Sequence, residues 1–569
     1  MASHDLTFAK KSWLRADKIE NIYNSVKSND IYQKNNDLYD TSDKVMQYLD
    51  DTNCIDCKNR DSILGVDDNM NEEKLTEIQK FYHGKNVLIT GGTGFLGKLL
   101  IEKLLRCCPT VDNLYLLVRQ KRGKDIYTRI EEMFDDPMFS RLKEERPKFR
   151  HKIVAIPADC DTAGLGLSIT DRQTLIEKTN IVFHSAATVK FDEQLRAALA
   201  TNVLAPLCLL QLAKDMKGLD VFMHVSTAYA NSHLSYVEEK FYPIEANTDE
   251  LQTRIAKMTD TEVNAIISSV LGPWPNTYTF TKALAEKELR QNCGTVPLGI
   301  FRPAVVTSTL KEPLRGWLDN MYGPTGVTVG CVTGMLRTLQ CDGAVSADIV
   351  PGDMVVSSLL AAAASVHKRY QHTSPPPEPP IYNYVSSAEN RITWADYIDF
   401  NLARIDDQPF SNAVWYISIT LTRSRALYAL YAVLLHLLPA ALADALLWLA
   451  GRKPRMLQVY KKIHKFSSVL LYFVSKDIVF CNKRTRELWD STSEQDKKIF
   501  PFSMAELDWN EYFDEFLVGI RRYMFKDGDE TLPQARIKWR RLHYLHQTVR
   551  LIFYCIVIYV LWSCFCKFW

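Results

Sequence analysis

Residues 87–97 read Val-Leu-Ile-Thr-Gly-Gly-Thr-Gly-Phe-Leu-Gly. The first residues form an apolar run typical of a buried strand, and residues 98–105 repeat leucine or isoleucine at four-residue spacing, as a helix packed on a sheet does. A glycine turn between a strand and a helix lets the backbone approach a pyrophosphate, which binds the free N–H groups at the helix start. The stretch therefore predicts a Rossmann-type dinucleotide site rather than a purely structural turn. The residues predicted to contact the cofactor are Thr90, Gly91, Gly92, Thr93, Gly94, Phe95, Leu96 and Gly97.

The end of the next predicted strand indicates which dinucleotide binds. Residues 114–118 form an apolar run, and Arg119 follows it directly. An NAD site usually carries Asp or Glu here, because a carboxylate holds the ribose hydroxyls. A carboxylate would repel a 2′-phosphate, whereas a guanidinium can bind one through two hydrogen bonds. The sequence therefore predicts NADPH.

A second group of residues indicates acid–base chemistry. Tyr278 and Lys282 are four residues apart, so on a helix they share a face. A free phenol has a pKa of about 10, and a neighbouring ammonium lowers it toward the range useful for catalysis. The apolar run 221–225 ends in Ser226 and Thr227, whose hydroxyls can hold a carbonyl oxygen. We therefore predict Tyr278, Lys282, Thr227 and Ser226 as catalytic residues.

Another apolar run, residues 300–306, contains Arg-Pro-Ala-Val and predicts contacts from Pro303 and Val305 to the nicotinamide. Together with the glycine turn, the strand 181–187 and the Tyr-x-x-x-Lys pair, it resembles the extended short-chain dehydrogenases/reductases. More narrowly, the glycine turn with Tyr-Thr-Phe-Thr-Lys at 278–282 resembles the fatty acyl-CoA reductases. Segments of the carboxyl-terminal part resemble that family's small C-terminal domain, so the likeness covers about residues 81–526.

The resemblance implies a fold, a reaction and further site residues. The fold is α/β, a doubly wound parallel sheet with a substrate lobe and a smaller helical C-terminal domain. The reaction is NADPH-dependent reduction of a long-chain acyl-CoA to a primary alcohol through the aldehyde, with release of CoA. Lys282 would also hold the nicotinamide ribose, and Ala186 and Ala187 would contact the cofactor. Asn202 would support the site.

Asp159 follows the predicted strand 152–156. The resemblance implies that it accepts a hydrogen bond from the adenine amine. An ordinary aspartate in a turn is an equal alternative.

Two rival functions stay open at this point. The same Ser/Thr–Tyr–Lys residues serve sterol dehydrogenases and nucleotide-sugar epimerases, and the apolar segments disfavour the sugar substrate. A membrane-tethered scaffold that binds NADPH without catalysis is the other rival, although such a scaffold would not need Tyr278 and Lys282.

Length and charge bound the organisation of the chain. Its 569 residues exceed one typical core, and 69 basic against 67 acidic residues disfavour a nucleic-acid partner. No residue cluster predicts a metal site, and the oligomeric state is left open. The predicted divisions are a flexible polar extension (1–80), the reductase domain (81–400), an apolar helical hairpin (401–455), the C-terminal domain (456–530) and a C-terminal membrane helix (547–567).

Two segments indicate contact with lipid. Residues 414–449 are densely apolar, but Pro439 should break any helix there, so we expect two short arms embedded shallowly in a membrane. A buried helical core or an acyl channel is the alternative. Residues 551–566 carry no charge and are long enough to cross a thin bilayer or to lie in its interface.

The charges around the second segment predict its orientation. Five basic residues between Arg536 and Arg550 precede the segment, whereas Lys567 alone follows it. Because positive charge favours the cytosolic side, the catalytic body should face the cytosol. The expected location is the endoplasmic reticulum membrane, with the peroxisomal membrane as the alternative.

Overall fold

The computed structural model describes residues 74–120, 123–160, 162–373 and 378–568. Most of the predicted extension 1–80 therefore lies outside the described residues. Within them, the strands are β1 Val87–Thr90, β2 Leu114–Val118, β3 Ile153–Pro157, β4 Ile181–His184, β5 Val221–Val225, β6 Tyr236–Val237, β7 Leu298–Pro303, β8 Val305–Thr307, β9 Thr338–Gln340, β10 Ile349–Pro351, β11 Ile381–Tyr384, β12 Thr420–Thr422 and β13 Val479–Phe480.

Seven of these strands form one parallel sheet in the order β11–β7–β5–β4–β1–β2–β3. Ile89 in the middle of β1 is paired with Leu116 of β2 on one side and with Phe183 of β4 on the other. On one side of β1 lie β2 and β3, and on its other side lie β4, β5, β7 and β11. The predicted α/β doubly wound fold is confirmed.

The helices connect the strands and build the carboxyl-terminal part. They are α1 Glu77–Tyr82, α2 Phe95–Cys107, α3 Ile126–Phe134, α4 Ser140–Glu145, α5 Ile169–Lys178, α6 Leu195–Leu199, α7 Ala205–Asp215, α8 Thr248–Ala256, α9 Asp260–Leu271, α10 Thr277–Asn292, α11 Pro324–Val332, α12 Gly352–Gln371, α13 Trp394–Leu402, α14 Arg425–Tyr431, α15 Leu438–Leu449, α16 Met456–Ser475, α17 Lys483–Ser491, α18 Glu494–Ile499, α19 Trp509–Gly519 and α20 Leu532–Phe568. Wider π-helical turns occupy Ala200–Leu204, Ala432–Leu437 and Ile520–Met524.

Alternation along the strands divides the core between the two faces of the sheet. Leu88 and Phe222 pack on the face covered by α5, α7 and α10, together with Leu209 and Leu289 from two of those helices. The opposite face is covered by α2 and α12, and there Val366 of α12 lies against Gly299 of β7. Helices on both faces are what a doubly wound sheet requires.

The reductase body begins before the predicted boundary at residue 80. Helix α1 opens with a capping box between Thr76 and Gln79, and its last residue, Tyr82, is fully buried. The Tyr82 hydroxyl donates to the carbonyl of Leu360 at 2.9 Å. The polar composition around residue 75 concealed this short amphipathic helix.

The prediction that Pro439 splits the apolar region into two short arms is wrong. Residues Arg425–Leu449 form a continuous helical run in which the π-helical turn Ala432–Leu437 precedes Pro439. A proline lacks an N–H and its ring clashes with the preceding turn, and the wider turn accommodates both defects. A hairpin does exist, but its second arm is α16.

The last helix, α20, starts fifteen residues before the predicted position 547, at Leu532. Its first half is amphipathic and packs on the body through Ala535, Trp539 and Leu542. Over residues 551–566 it presents apolar side chains to the outside on every face.

Three helical segments among the described residues are long and apolar enough to cross a membrane. Leu195–Asp215 is half buried inside the reductase body, where it covers the sheet. Arg425–Leu449 is mostly exposed, and the apolar window within Asp529–Cys566 is not buried at all. The last two are therefore the candidates for contact with lipid.

The contact between the glycine turn and α2 yields a first prediction. A Cβ at Gly97 would lie 2.2 Å from the carbonyl oxygen of Gly91 and 2.7 Å from the Cα of Gly92, and backbone atoms cannot rotate away. We expect Gly97→Ala to lower the free energy of unfolding by about 3 kcal/mol, as strong overpacking does. Denaturant unfolding measures this loss.

Gly84→Ala is the matched control. Gly84 has φ +64° and nothing within 4 Å of its added Cβ, so only the backbone conformation resists the change. Its cost should be about 1 kcal/mol. Equal losses for the two variants would contradict the steric account of Gly97.

Candidate active site

The predicted cofactor residues follow the carboxyl ends of neighbouring strands. Gly91 follows β1, Arg119 follows β2, Asp159 lies beyond β3, Ala186 follows β4 and Thr227 lies beyond β5. Because the strands are parallel, all five residues lie at the same edge of the sheet, the one formed by the carboxyl ends of the strands. The connections reverse direction at β1, and the crevice at such a point is where doubly wound sheets bind ligands.

The glycine turn is packed closely against the loop that follows β4. Gly91 has φ +72°, and a Cβ there would lie 2.8 Å from the backbone nitrogen of Ala186. Gly94 directly precedes α2 and has no side chain to cap it. The first N–H groups of the helix therefore remain available to an anion. The turn therefore fits a dinucleotide pyrophosphate.

Two other side chains of the turn have structural partners. The Thr90 hydroxyl accepts a hydrogen bond from the N–H of Ala186 and lies 3.1 Å from His184 Nδ1, so it joins β1 to the loop after β4. The ring of Phe95 stacks on Trp317 at 5.2 Å between centroids. Gly92 is buried, and Leu96 is half-buried in the first turn of α2.

A second arginine, which the sequence did not predict, lies beside Arg119. Arg129 on α3 donates to the backbone carbonyl of Arg119 and, at 3.3 Å, to the hydroxyl of Thr93. Burial and the charge of Arg119 lower the pKa of Arg129, which shows that the two guanidinium groups repel each other. Two guanidinium groups beside the glycine turn could bind a phosphate group. No local motif marks Arg129, which is ten residues from Arg119.

Asp159 starts the turn that follows β3. It is half-buried, and its backbone N–H donates to the carbonyl of Leu165 at 2.8 Å. It therefore lies at the predicted adenine end of the crevice, next to the strand that leads to Arg119.

The structure brings Tyr278 and Thr227 together. Tyr278 lies in the first turn of α10, which Asn276 caps by accepting from the N–H of Thr279. The Thr227 side chain interacts with the Tyr278 phenol, and this interaction lowers the phenol's pKa. Burial has the larger effect and raises the pKa of Tyr278 to about 12.

Lys282 lies one turn further along α10, and its side chain is bonded to the neighbouring strand. Its Nζ donates to the carbonyl of Val225 at 2.8 Å, so the ammonium is held by strand β5. Burial lowers the pKa of Lys282 to about 8, and the carboxylate of Glu286 partly opposes that shift. The expectation that Lys282 lowers the pKa of Tyr278 is wrong here, because burial of the phenol dominates.

Ser226 points elsewhere than its neighbour Thr227. Its hydroxyl donates to Glu286 Oε1 at 2.5 Å. Glu286 is in turn paired with the fully buried Arg302, which donates to both carboxylate oxygens at 2.9 and 2.5 Å. Of the two hydroxyl residues predicted as catalytic, the geometry therefore favours Thr227 and gives Ser226 a supporting position. Glu286 was detectable in principle, since it continues the four-residue spacing of Tyr278 and Lys282.

Asn202 is buried in the π-helical turn Ala200–Leu204 and supports the site indirectly. Its amide accepts from the N–H of Thr188 and donates to the carbonyl of that residue, at 2.9 and 3.2 Å. It also donates to the hydroxyl of Thr281 at 3.0 Å. Asn202 thus joins the loop after Ala187 to the helix that carries Lys282, as the supporting role requires.

Pro303 and Val305 lie at the predicted strand end. Pro303 is the buried last residue of β7, paired with Tyr384 of β11. Val305 is half-buried and begins β8. Both are at the same edge of the sheet as Thr227, since Ser226 donates its N–H to the carbonyl of Phe301.

A group of aromatic rings lies against the Tyr278 ring. Phe191 stacks on Tyr278 at 5.8 Å, and Phe473 of α16 lies 5.1 Å from Phe191. Tyr229 completes the group at 5.3 Å from Phe473. The carboxyl-terminal hairpin therefore contributes to the wall of the site. Nothing in the sequence near residue 473 connects it with residue 278.

Family models match two parts of the chain. Residues 89–359 match an NAD-binding model and residues 435–527 a second one, and both are described as male sterility protein. The chain is 41% identical to fatty acyl-CoA reductase wat of Drosophila melanogaster over 85% of this chain and 93% of that protein. It is 38% identical to human fatty acyl-CoA reductase 1 over 86% of this chain and 94% of that protein.

Solved structures share the fold. The terminal reductase domain of the myxalamid pathway has a TM-score of 0.51 and 19% identity, covering 78% of this chain and 92% of that one. A reductase domain of a nonribosomal peptide synthetase from Mycobacterium tuberculosis has a TM-score of 0.51 and 16% identity, with the same coverage. These likenesses extend the Rossmann-type architecture to most of the chain. The family models, the relatives and the glycine turn agree, and the chain belongs to the fatty acyl-CoA reductase family.

Proposed function

We propose that this chain is an enzyme that reduces a long-chain fatty acyl-CoA to the primary alcohol with NADPH. The observation that carries the proposal is the convergence of Thr227 and Tyr278 at the sheet edge, beside the glycine turn, in a chain with fatty acyl-CoA reductase relatives. The nucleotide and the substrate carbonyl would meet in the crevice between these two groups of residues.

The proposed acid is Tyr278. With a pKa of about 12 its phenol keeps its proton at neutral pH, so it can donate to an oxygen that gains negative charge. The Thr227 hydroxyl would hold the same oxygen from the second side. Bound NADPH supplies hydride to the carbonyl carbon.

Lys282 would orient the reacting groups through charge. Its ammonium is held near the site by the carbonyl of Val225, within reach of a nucleotide ribose bound at the sheet edge. Collapse of the first adduct expels the CoA thiol and leaves an aldehyde, and a second reduction of the same kind yields the alcohol. Phe191 and Phe473 would keep water from the reacting oxygen.

The choice of NADPH over NADH rests on the two arginines. Arg119 and Arg129 place two cations beside the turn that precedes α2, where the adenosine ribose of a dinucleotide lies. A 2′-phosphate would relieve their repulsion and accept several charge-assisted hydrogen bonds.

The proposed location is a membrane, with the catalytic body in the cytosol. The exposed apolar part of α20 supports a C-terminal membrane helix, and the basic residues before it support the orientation. Among the membranes that present this side to the cytosol, we propose the endoplasmic reticulum, with the peroxisome as the alternative.

The reaction is tested by replacing the proposed acid. Tyr278→Phe should lower the rate of alcohol formation by about 10²–10⁴-fold, because no other group donates the proton, while NADPH still binds. Mass spectrometry of the alcohols formed from acyl-CoAs measures the rate, and NADPH fluorescence measures binding. Tyr370→Phe, which removes a hydroxyl bonded to Leu298, is the control and should keep full activity. Normal turnover by Tyr278→Phe would contradict the assignment.

The pH dependence follows from Lys282. Because its pKa is lowered to about 8, the ammonium loses its charge as the pH rises through that value, and kcat/KM should fall there. Tyr278, with a pKa of about 12, stays protonated over the same range. In Lys282→Arg the charge persists, so any remaining activity should fall only at higher pH. A decline near pH 8 that Lys282→Arg does not shift would exclude Lys282 as its cause.

The cofactor preference tests the arginine pair. Arg119→Asp and Arg129→Ala should each weaken NADPH binding by roughly 10- to 100-fold, the value of one or two charged hydrogen bonds, and leave NADH binding nearly unchanged. Titration of each nucleotide against the purified variants measures both effects. Arg172→Ala, at an exposed ion pair with Asp215, is the control. An equal loss for both nucleotides would remove the arginines from the 2′-phosphate site.

A further inference from the structure

The helical run Arg425–Leu449 is amphipathic, but its apolar face points outward and its small or polar face points toward the protein. Side chains that face the protein are small or polar, and Ala432, His436, Ala440 and Asp444 repeat every four residues and are buried. The outward-facing side carries large apolar side chains that are between 37% and 73% exposed. Six of these side chains form a line that we call the leucine row: Leu430, Leu434, Leu438, Leu442, Leu446 and Leu449. A soluble helix normally has the opposite arrangement.

The buried polar residues fix this helix against the protein body. His436 Nε2 accepts from the N–H of Arg337 at 2.9 Å. The carboxylate of Asp444 accepts from the N–H groups of Arg455 and Met456 at 2.7 and 2.8 Å, and so caps the start of α16. The helix therefore cannot leave the body to cross a bilayer without breaking these bonds. Its leucine row stays on the outer surface.

Basic residues flank the leucine row at both ends. Arg423 and Arg425 precede it, and Arg452, Lys453 and Arg455 follow it, all of them exposed. Long cationic side chains at the ends of an apolar surface can reach phosphate groups while the surface itself enters the acyl region. The distribution of charge thus matches a phospholipid leaflet.

The leucine row is also tied to the C-terminal helix. Arg337 donates its backbone N–H to His436. Its guanidinium lies over the ring of Trp415, 4.9 Å from the ring centroid. Trp415 Nε1 donates to His546 Nδ1 of α20 at 3.0 Å. His546 is five residues before the uncharged segment that starts at Leu551. The middle of this helix is therefore connected, through His436, Arg337, Trp415 and His546, to the part of α20 that precedes its wholly apolar segment.

We propose that the outer face of Arg425–Leu449 is a second membrane-binding surface, which lies in one leaflet of a phospholipid bilayer beside the point where α20 enters it. The helix is interfacial, because its inner face is bonded to the protein along its length. The occupant of this face is the phospholipid leaflet, and the inference does not depend on which reaction the enzyme catalyses.

Photolabelling of the full chain tests the proposal. The protein is reconstituted in vesicles of phosphatidylcholine and phosphatidylserine that contain a phosphatidylcholine with a photoreactive diazirine in its acyl chain. Trypsin cleavage after Arg425 and Arg452 releases residues 426–452 as one peptide, and cleavage after Arg550 and Lys567 releases 551–567. We expect lipid label on both peptides, and within the first on the leucine row. Label on 551–567 alone would overturn the proposal.

A charged variant distinguishes lipid from a second copy of the chain. Leu442→Glu combined with Leu446→Glu should reduce label on 426–452 to background and leave label on 551–567 unchanged. Ile169→Glu, at a 90% exposed position on α5, is the matched control and should change neither. Unaltered unfolding temperature and NADPH binding show that the variants fold. An unaltered protein that is dimeric in analytical ultracentrifugation, takes no lipid label on residues 426–452 and becomes monomeric with the two glutamates would also overturn the proposal.

Discussion

The position of the proposed catalytic residues depends on one buried charge pair, Glu286 with Arg302. A buried ion pair costs several kcal/mol of desolvation per ion unless its remaining hydrogen-bonding groups are satisfied. Here Arg302 also donates to the carbonyls of Glu238 and Lys240, both at 3.1 Å, and Ser226 donates to Glu286. The pair therefore connects helix α10 to strands β5 and β7. Since Tyr278 precedes Glu286 on the same helix by two turns, the bond also sets where the phenol meets Thr227.

Burial has opposite effects on the two titrating residues of that helix. It disfavours the charged form of each group, so it raises the pKa of the Tyr278 phenol and lowers that of the Lys282 ammonium. The phenol therefore keeps its proton at physiological pH. Of the two groups, the Lys282 ammonium is the one whose pKa lies nearer to physiological pH. The nearby Glu286 carboxylate limits the loss of charge.

Features fixed by neighbouring residues could be predicted from the sequence, and features made by distant ones could not. The glycine turn and the Tyr278–Lys282 spacing are local, and both lie where the pattern predicted. Arg129 and Phe473 reach the crevice only through the folded sheet and the hairpin, so no local signal marks them. The sign of the Tyr278 pKa shift failed for the same reason, because burial is a tertiary property that spacing does not report. Pro439 was misread because a π-helical turn can accommodate a proline that an α-helix cannot.

The carboxyl-terminal hairpin connects the outer surface of the protein with the catalytic phenol. One arm, Arg425–Leu449, carries the leucine row, and transfer of each such side chain from water to an apolar phase contributes about 1.5–3 kcal/mol. The other arm, α16, begins under the Asp444 cap and carries Phe473 into the aromatic group at Tyr278. Because the Asp444 cap and the stacking of His436 on Tyr460, at 5.0 Å, hold the arms together, the two ends are mechanically linked. A substrate with an apolar chain and a reactive carbonyl needs both environments, and this hairpin contributes to each of them.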